Sequence, residues 1–574
     1  MKKRTLIASV AIACMLYFSF CNSGSSVKNG ISTDSLTIAK GEASFDQYCG
    51  GCHNFKQDGI GPQLGGITNS ASADWIRHFI NNPKKIIEAG DARALQLSKR
   101  FKTTMPSFEF FTDDQVQGII AFLNVHTQPG KQTKEKGNEI KNPVPEPIPL
   151  SGLEAGLQLV AQVPPSSDSG KMQLTRITKL APQPTTGNLF ILDLRGKLYQ
   201  LQHNKPQVYM DIAKLRPAFI NEPGLATGFG SFAFHPQFES NGLLYTSHTE
   251  AHTKAKKADF GFADSIKVTV EWVLMEWKTT TPAAPVFSGT GRELFRVDMV
   301  TGIHGVQEIA FNPLAKPGDE DYGLLYIGVG DGGSVENGYP FLAHSREKPW
   351  GAILRIDPAG SNSANRQYGI PPGNPFVKGQ NANALKEIYA YGFRNPHRIT
   401  WTRSGQLLAC NIGQANIESV NLIQPGHDYG WPLREGNFVL EPDENMERVY
   451  PLPANDSIYH FTYPVAEYDH DEGAAISGGY EYWGAAIPQL KGKYLFGDIP
   501  SGRLFYINLA DIRQGKQAPI KEWKATINGK TKTLKELCGA DRVDLHFGAD
   551  ARGELYILTK ADGKVYQLTG AVIK

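Results

Sequence analysis

The sequence predicts a multidomain protein, in which a small all-α domain precedes a large all-β domain built as a six-bladed β-propeller. Three observations carry this prediction. The chain has 574 residues, which is too long for one ordinary domain. A helix-like run at 113–124 ends its first part, whereas from residue 150 onward short β runs alternate with Gly, Pro, Asn and Asp. A glycine-led strand signal recurs six times in that second part, which is typical of propeller blades.

Residues 1–20 have the pattern of an export signal. Three cationic residues at 2–4 precede an apolar run from residue 6 to residue 20. A transmembrane helix is the alternative, but the apolar run is short for one. We therefore expect an exported protein, located in the periplasm or the cell envelope.

Cys21 begins a stretch of small polar residues and resembles the lipidated cysteine of a bacterial lipoprotein. Phe20 departs from that pattern, because lipoproteins carry a small residue there, and Cys14 is an alternative site. The pattern predicts membrane attachment by a lipid at Cys21 alone, with residues 21–34 as a tether. Cleavage and release is the rival outcome.

The segment Cys49-Gly50-Gly51-Cys52-His53 has the spacing of a covalent haem attachment site. Two thiolates at this spacing can each add to a porphyrin vinyl group, and the histidine that follows can ligate the iron. A structural disulfide or half of a zinc site are the alternatives. A zinc site needs two further ligands, and the sequence has no second Cys-x-x-Cys. The segment predicts a c-type haem, and therefore electron transfer.

Residues 35–127 resemble a class I cytochrome c domain. The resemblance rests on the haem motif, on Gly-Ile-Gly-Pro at 59–62, on Thr-Met-Pro at 104–106 and on the run at 113–124. It implies that the Met105 thioether is the axial ligand opposite His53. Methionine raises the haem potential, which suits a haem that accepts electrons from an organic donor.

Of the six cysteines, Cys410 and Cys538 have no role in the leader, the anchor or the haem, and a disulfide between them is left open. The formal charge is +2, and it falls to near −1 without the three leader cations. No basic block indicates nucleic-acid binding. The expected partners are a small-molecule substrate and an external redox acceptor, either a cytochrome or a membrane quinone system.

Residues 128–149 are polar and then proline-alternating, which predicts a semi-stiff, exposed linker. The propeller is predicted to occupy residues 150–574. A pair of β-sandwiches and a β-helix are the alternatives, and the long, irregular repeat intervals argue against a solenoid. The strand signals begin at Gly187, Gly242, Gly323, Gly405, Gly492 and Gly553.

Six segments of this region resemble the soluble quinoprotein sugar dehydrogenases, the glucose/sorbosone dehydrogenase family. The segments, in family order, are FAFHPQF at 232–238, GVGDGG at 328–333, ILRIDP at 353–358, IPPGNPF at 370–376, YGFRNP at 391–396 and YGWP at 429–432. The resemblance extends from about residue 174 to residue 568. It implies pyrroloquinoline quinone (PQQ) and Ca²⁺ on the top face of the propeller, and oxidation of aldoses at the anomeric carbon.

Oxidation of a hemiacetal requires a base for the hydroxyl proton while hydride leaves the carbon, and a histidine of fixed tautomer suits this task. The resemblance implies that His304 is the catalytic base and that Asp331 is the carboxylate that supports it. By spacing alone, a lone histidine is more often structural.

The resemblance also assigns the cofactor contacts. Arg394 and Asn395 match the pair that contacts the quinone, and a guanidinium suits the carboxylates of PQQ. A capped turn is the structural alternative for this pair, and Arg542 is a candidate second cation. Calcium would bind the backbone carbonyls of Gly413 and Gln414, because it prefers oxygen ligands.

Some residues depart from the family pattern. Pro500 occupies the place of a cofactor-binding lysine in the soluble glucose branch, and no matching polar residue stands around Thr227. The insertion at 251–288 is interpreted as a substrate lid, a docking surface for the haem domain or a solvated loop. Glu418 is interpreted as an ordinary surface acid rather than a metal ligand.

These observations predict an exported quinohaemoprotein, a PQQ-dependent aldose dehydrogenase that passes electrons to its covalent haem and then to an external acceptor. The rival hypothesis is a tethered cytochrome whose propeller only binds carbohydrate or protein, and Pro500 favours it. A propeller hydrolase or lactonase should carry metal-ligating carboxylates from several blades, and the sequence does not reveal them. Substrate, terminal acceptor and oligomeric state stay open.

Overall fold

The structure is a computed structural model that describes residues 30–101, 105–130, 137–167, 173–223, 226–253, 255–378 and 382–574. The predicted export signal and the lipidation sites Cys14 and Cys21 lie outside these ranges. Within them, no helix combines the length and the apolar character that a membrane span requires.

The N-terminal domain is helical, as predicted. Its helices are α1 (Ser35–Tyr48), α2 (Ile67–Ser70), α3 (Ala73–Asn81), α4 (Pro83–Glu88), α5 (Ala92–Arg100) and α6 (Asp113–Val125). Side-chain caps at Asp34 and Thr112 begin α1 and α6, because these side chains accept hydrogen bonds from otherwise unpaired N–H groups. The two helices cross at Gly41 and Gly118, where a Cβ on Gly41 would lie 1.8 Å from the Gly118 carbonyl oxygen. Only glycine permits this approach.

Beyond the linker, the described residues form six four-stranded antiparallel blades, which confirms the predicted propeller. The first strand after the linker is β1 (Leu150–Gln162). Blade 1 contains β2 (Ile177–Pro182), β3 (Leu189–Asp193), β4 (Lys197–Gln202) and β5 (Lys205–Asp211); blade 2 contains β6 (Phe229–Phe234), β7 (Leu243–Glu250), β8 (Val270–Thr279) and β9 (Gly289–Met299); blade 3 contains β10 (Glu308–Phe311), β11 (Leu325–Val329), β12 (Ala352–Ile356) and β13 (Ile388–Tyr391).

Blades 4 to 6 complete the ring. Blade 4 contains β14 (Pro396–Trp401), β15 (Leu407–Asn411), β16 (Ile417–Leu422) and β20 (Ala466–Asp469), with an inserted sheet of β17 (Arg434–Glu435), β18 (Phe438–Glu441) and β19 (Asn445–Tyr450); blade 5 contains β21 (Ile476–Glu481), β22 (Lys493–Asp498), β23 (Leu504–Asn508) and β24 (Lys521–Ile527), with β25 (Lys530–Lys532) at its edge; blade 6 contains β26 (Leu545–Ala549), β27 (Leu555–Thr559), β28 (Lys564–Ile573) and β1. Short helices in the connections are α7 (Ile212–Leu215), α8 (Phe238–Asn241), α9 (Pro340–Ala343) and α10 (Leu534–Cys538).

Strand β1 closes the ring. It pairs antiparallel with β28, from Leu153 opposite Ile573 to Gln162 opposite Lys564, and it also pairs in parallel with β24 of blade 5. The first and last parts of the β domain therefore share one blade. This arrangement leaves the ring without an open seam at that point.

The repeated glycines have a common structural reason. Each of the six lies at the turn between the first and second strands of its blade, with φ between 68° at Gly242 and 88° at Gly405. This left-handed backbone conformation costs little for glycine and is unfavourable for most other residues. The glycine repeat is therefore the signature of the blade turn.

The inner strands carry an ion cluster on the propeller axis. Glu308 of β10 accepts hydrogen bonds from both Lys179 of β2 and Arg398 of β14, and all three side chains are buried. Buried charges of this kind are tolerated because they are paired and hydrogen-bonded. The cluster joins three blades at the centre of the ring.

The α domain lies on the propeller loops. Lys56 Nζ donates to the Asn337 carbonyl oxygen at 2.5 Å, and Arg100 approaches Glu447 of the inserted sheet at 3.3 Å. In the insertion between β7 and β8, Lys267 Nζ lies 3.1 Å from Glu42 of α1. Of the interpretations of this insertion, the structure therefore supports a docking surface for the haem domain.

Three further expectations can be compared with the structure. The described part of the linker is not wholly exposed, because Ile140 forms a β-bridge with Val449. Cys410 on β15 and Cys538 in α10 are free thiols, so the disulfide left open is not formed. Glu418 is fully buried and contacts His470 at 3.1 Å, so its interpretation as a surface acid is wrong.

Candidate active site and haem pocket

The helical domain contains a cavity of about 500 Å³ between its helices. Cys49, His53 and Met105 line it together with apolar side chains of α1, α3 and α6. His53 Nδ1 lies 2.8 Å from the Pro62 carbonyl oxygen, which leaves Nε2 as the nitrogen available to a metal. A Cβ on Gly61 would lie 2.5 Å from the His53 ring, so glycine at this position leaves room for the imidazole.

Burial lowers the pKa of His53 and so favours the neutral imidazole that ligates a metal. The cavity thus has the Cys49 thiol, an imidazole and a thioether on its wall, and Cys52 directly precedes His53 in the chain. This donor set fits a c-type haem.

Replacing Met105 by histidine is expected to lower the haem reduction potential by ~0.1 V or more, since axial ligands span roughly 0.8 V and methionine lies toward the high end. A spectroelectrochemical titration measures the change. Met275→Leu, within strand β8 of the propeller, is the matched control and should leave the potential unchanged. An equal potential in Met105→His and the wild type would contradict the assignment of Met105.

On the propeller, the candidate catalytic residues come from two neighbouring loops. His304 lies in the loop after β9, and Asp331 lies two residues after the end of β11. His304 Nδ1 is 2.8 Å from Asp331 Oδ1, while Trp431 Nε1 donates to Asp331 Oδ2 at 3.1 Å. The Asp331 carboxylate therefore favours the tautomer of His304 that carries its proton on Nδ1. The other ring nitrogen, Nε2, makes no contact with this carboxylate.

The local backbone is shaped for this contact. His304 has φ of 50°, and a Cβ on Gly330 would lie 2.2 Å from the His304 carbonyl oxygen. The N–H of Gly333, at 2.9 Å, also donates to Asp331 Oδ1. The glycines of the GVGDGG segment therefore allow the two loops to approach each other.

The electrostatics favour a neutral imidazole beside a charged carboxylate. Burial, with the positive charge of Arg394 as a second cause, lowers the pKa of His304. Burial acts to raise the pKa of Asp331, but the hydrogen bond with His304 and the charge of Arg394 outweigh it and hold this pKa below its ordinary value. His304 thus has the form of a general base.

Arg394 is buried next to this pair and makes three charged or polar contacts. Its Nη2 is 2.7 Å from Glu336 Oε1, its Nε donates to Gln414 Oε1 at 2.7 Å, and its Nη1 donates to the Gly413 carbonyl oxygen at 2.6 Å. Its guanidinium also lies 5.9 Å from the centre of the Trp431 ring. The structure therefore brings Arg394, Gly413 and Gln414 into direct contact.

The predicted calcium ligands do not fit that ion as they are placed. The Gly413 carbonyl oxygen accepts a hydrogen bond from a guanidinium, which sets a positive charge where the cation would bind. The N–H groups of the following residues, from Gln414 to Ile417, donate to the Glu435 carboxylate. Calcium binding therefore stays a prediction from the resemblance.

Asn395 and Arg542 complete the predicted set. Asn395 is buried beside Arg394, and its backbone N–H donates to Asn411 Oδ1 at 3.0 Å. Arg542 Nε contacts Asp544 at 2.7 Å. Burial and then the charge of Glu336 raise the pKa of the Cys52 thiol to about 11, while Arg542 and Arg394 oppose the rise. These charged groups therefore lie near the haem motif.

The haem motif lies next to the loop that carries the candidate base. A Cβ on Gly51 would lie 3.4 Å from Cγ2 of Ile303, the residue before His304. A Cβ on Gly59 would lie 3.3 Å from Gln414 Nε2. The structure thus joins the two predicted sites across one domain interface.

Sequence reasoning missed the roles of Glu336 and Lys560. Glu336 gave no signal, because its partner Arg394 is 58 residues away in the chain. Lys560, at the end of β27, is buried, and burial lowers its pKa to about 8, with Asp544 acting in the opposite direction. The sequence signal that could have revealed Lys560 is its position immediately after an apolar strand.

The polar groups around the site suit an anionic ligand. Among the described residues, Gln414 Nε2 and Ser334 Oγ are buried and make no hydrogen bond. Lys560 adds a buried cation near Asp544, and the backbone N–H of Val543, next to Asp544, donates to the Pro500 carbonyl at 2.9 Å. These groups fit a multiply charged carboxylate such as PQQ.

Two families of known proteins match two separate parts of the chain. The family described as Glucose / Sorbosone dehydrogenase matches residues 177–567, and the family described as Cytochrome c matches residues 38–126. Quinoprotein glucose dehydrogenase B of Acinetobacter calcoaceticus is 24% identical over 55% of this chain and 64% of its own. HIPL2 protein of Arabidopsis thaliana is 30% identical over 53% of this chain and 46% of its own.

The chain spans about half the length of several of the curated relatives that it matches. Among solved structures, the soluble aldose sugar dehydrogenase of Escherichia coli in its apo form covers 73% of this chain and 99% of its own, with a TM-score of 0.51 and 18% identity. At this identity the similarity shows the fold alone.

Proposed function

The chain belongs to the glucose/sorbosone dehydrogenase family and carries a cytochrome c domain, and from this premise we propose that it is a quinohaemoprotein dehydrogenase. Its substrate is an aldose sugar or a related alcohol, and its own haem receives the electrons. The observation that carries the proposal is the position of Gly51 in the haem motif, where an added Cβ would lie 3.4 Å from Ile303, the residue before His304.

His304 supplies the base. Its neutral imidazole takes the proton of the substrate hydroxyl at Nε2, because Nδ1 is engaged by Asp331. Asp331 stabilises the imidazolium that forms, and the Trp431 indole holds the carboxylate in place. Bound PQQ supplies a two-electron acceptor that releases its electrons singly.

The cofactor would be held by the cationic and amide groups of the same face. Arg394 and Asn395 are its predicted contacts, and Lys560 and Arg542 add positive charge for its carboxylates. The buried Gln414 amide offers an N–H group that has no protein partner among the described residues. These residues bind and orient; the redox chemistry belongs to the cofactor.

Docking of the haem domain on this face shortens the electron path. Contacts at Lys56, Arg100 and Lys267 hold the domain against the propeller loops. A tethered acceptor also has an effective concentration of ~mM even when it undocks. Export, a lipid at Cys21 and an external acceptor complete the proposal and rest on the sequence pattern alone.

The test combines cofactor uptake with haem reduction. The haem-loaded chain is titrated with PQQ, with and without Ca²⁺, and a panel of aldoses and alcohols is then added anaerobically while the haem bands are followed. Sugar-driven reduction that requires PQQ supports the proposal. Haem that stays oxidised, in a chain that takes up no PQQ, would leave the tethered cytochrome with a binding propeller.

The pH profile tests the role of Asp331. Burial and Arg394 lower the pKa of His304, so its neutral base form persists as pH falls. The acid limb of the kcat/KM profile is therefore expected below pH ~6.5, the ordinary histidine pKa. In Asp331→Asn the hydrogen bond that raises this pKa is weakened, so the limb moves further down and the rate falls by ~10²-fold or more. Asp319→Asn, on an exposed turn, is the control. An acid limb at or above the ordinary value in the wild type would contradict this assignment.

A further inference from the structure

A second cluster of metal-ligating side chains lies in blade 2, outside the site described above. His252 follows β7, Glu271 lies on β8 and Asp298 lies on β9. One ligand atom of each residue falls within 4.8 Å of the other two. His252 Nδ1 already contacts Glu271 Oε1 at 2.8 Å.

Asp298 differs from the neighbouring carboxylates in its charge pairing. The neighbouring carboxylates of Glu250, Glu271 and Glu293 all form ion pairs with arginine or lysine. Asp298, which is 6% exposed, forms no ion pair among the described residues. Its Oδ2 accepts the N–H of Phe262 at 2.9 Å, but its Oδ1 is buried and accepts no hydrogen bond among them.

A buried carboxylate oxygen without a donor is costly unless a cation compensates it. The three side chains provide one imidazole and two carboxylates. We propose that His252, Glu271 and Asp298 bind a divalent cation of the zinc class.

The ligand set decides the class of the cation. An imidazole with carboxylates suits zinc, and three protein ligands leave its fourth position for water. Calcium and magnesium prefer oxygen ligands throughout. Arg296 donates to Glu271 from the other side, so Glu271 contributes its Oε1 to the metal and keeps Oε2 for the guanidinium.

The position of the site suggests what the ion does. His252 begins the insertion that follows β7, and Asp298 holds the middle of that insertion through the N–H of Phe262. The same insertion carries Lys267, which contacts Glu42 and Asp46 of α1. A metal ion that joins both points would fix the insertion and so strengthen the docking of the haem domain.

The experiment uses the haem-loaded full chain. It is stripped with a chelator, loaded with Zn²⁺, desalted and measured for zinc per haem by mass spectrometry, and Zn²⁺ affinity is then measured by competition with a chelator dye. His252→Gln and Asp298→Asn are compared with Asp264→Asn, an exposed acid of the same insertion. His252 is partly exposed, so its variant keeps the test valid if the Asp298 variant fails to fold.

The wild type and Asp264→Asn are expected to retain about one zinc more per chain than the two ligand variants, whose affinity falls at least ~10-fold. Equal zinc in the wild type and in both ligand variants overturns the proposal, whether the amount is high or low. Displacement of the zinc by an equal concentration of Ca²⁺ overturns the assigned class of cation.

Discussion

Replacing His304 by asparagine is expected to lower the rate of sugar-driven haem reduction by ~10²–10⁴-fold, the usual contribution of a positioned general base. Asparagine tolerates the left-handed backbone that His304 adopts, at φ of 50°, so the fold should persist. PQQ binding should be retained, because the contacts assigned to the cofactor lie on other residues. Stopped-flow absorbance at saturating substrate measures the rate.

His203→Asn is the matched control for this change. His203 also has a left-handed backbone, at φ of 49°, but it lies in the turn between β4 and β5, away from the site. Its variant should reduce the haem at the wild-type rate. A His304→Asn protein that kept more than about a tenth of that rate would contradict the role of the imidazole as base, since the expected loss is at least ~10²-fold.

Replacing Arg394 by methionine is expected to have the largest effect on both stability and cofactor binding. The change leaves Glu336 as a buried carboxylate without its cation, and breaking such a pair costs about 3–5 kcal/mol of unfolding free energy. It also removes the guanidinium assigned to PQQ. Denaturant unfolding measures the first effect, and titration of the haem-loaded chain with PQQ measures the second.

The double variant Arg394→Met, Glu336→Gln separates the two effects. Neutralising Glu336 removes the uncompensated charge, so stability should recover in part. PQQ binding should not recover, because the guanidinium is still missing. Wild-type PQQ affinity in either variant would show that Arg394 has only a structural role.

Local chemistry explains why much of this molecule could be predicted. The haem motif would bind haem through residues that are close together in the sequence. Cys49, Cys52 and His53 could therefore be predicted without knowledge of the fold. The blade glycines were readable because each blade turn needs a left-handed residue. The pairing of His304 with Asp331 could be predicted only from the resemblance to the family, because 27 residues separate the two in the sequence.

Long-range packing explains most of what was missed. Strand β1 closes the ring by pairing with a strand some 400 residues away, and no local sequence pattern predicts that pairing. His397 lies on β14, the inner strand, where its ring is 5.5 Å from that of His546, which is 149 residues further along the chain. Glu418 was interpreted as a surface acid because the groups that pair with it when buried are distant in the sequence. These are His470, 52 residues away, and the N–H of Ile476, 58 residues away.

The most direct test of internal electron transfer is the concentration dependence of haem reduction. The PQQ-loaded chain is mixed anaerobically with excess substrate at several protein concentrations, and the reduction rate of the haem is recorded in a single turnover. If the docked haem accepts electrons from the propeller of its own chain, the first-order rate constant is the same at every protein concentration. A rate constant that rises in proportion to protein concentration would mean that electrons pass between chains, and it would contradict this account.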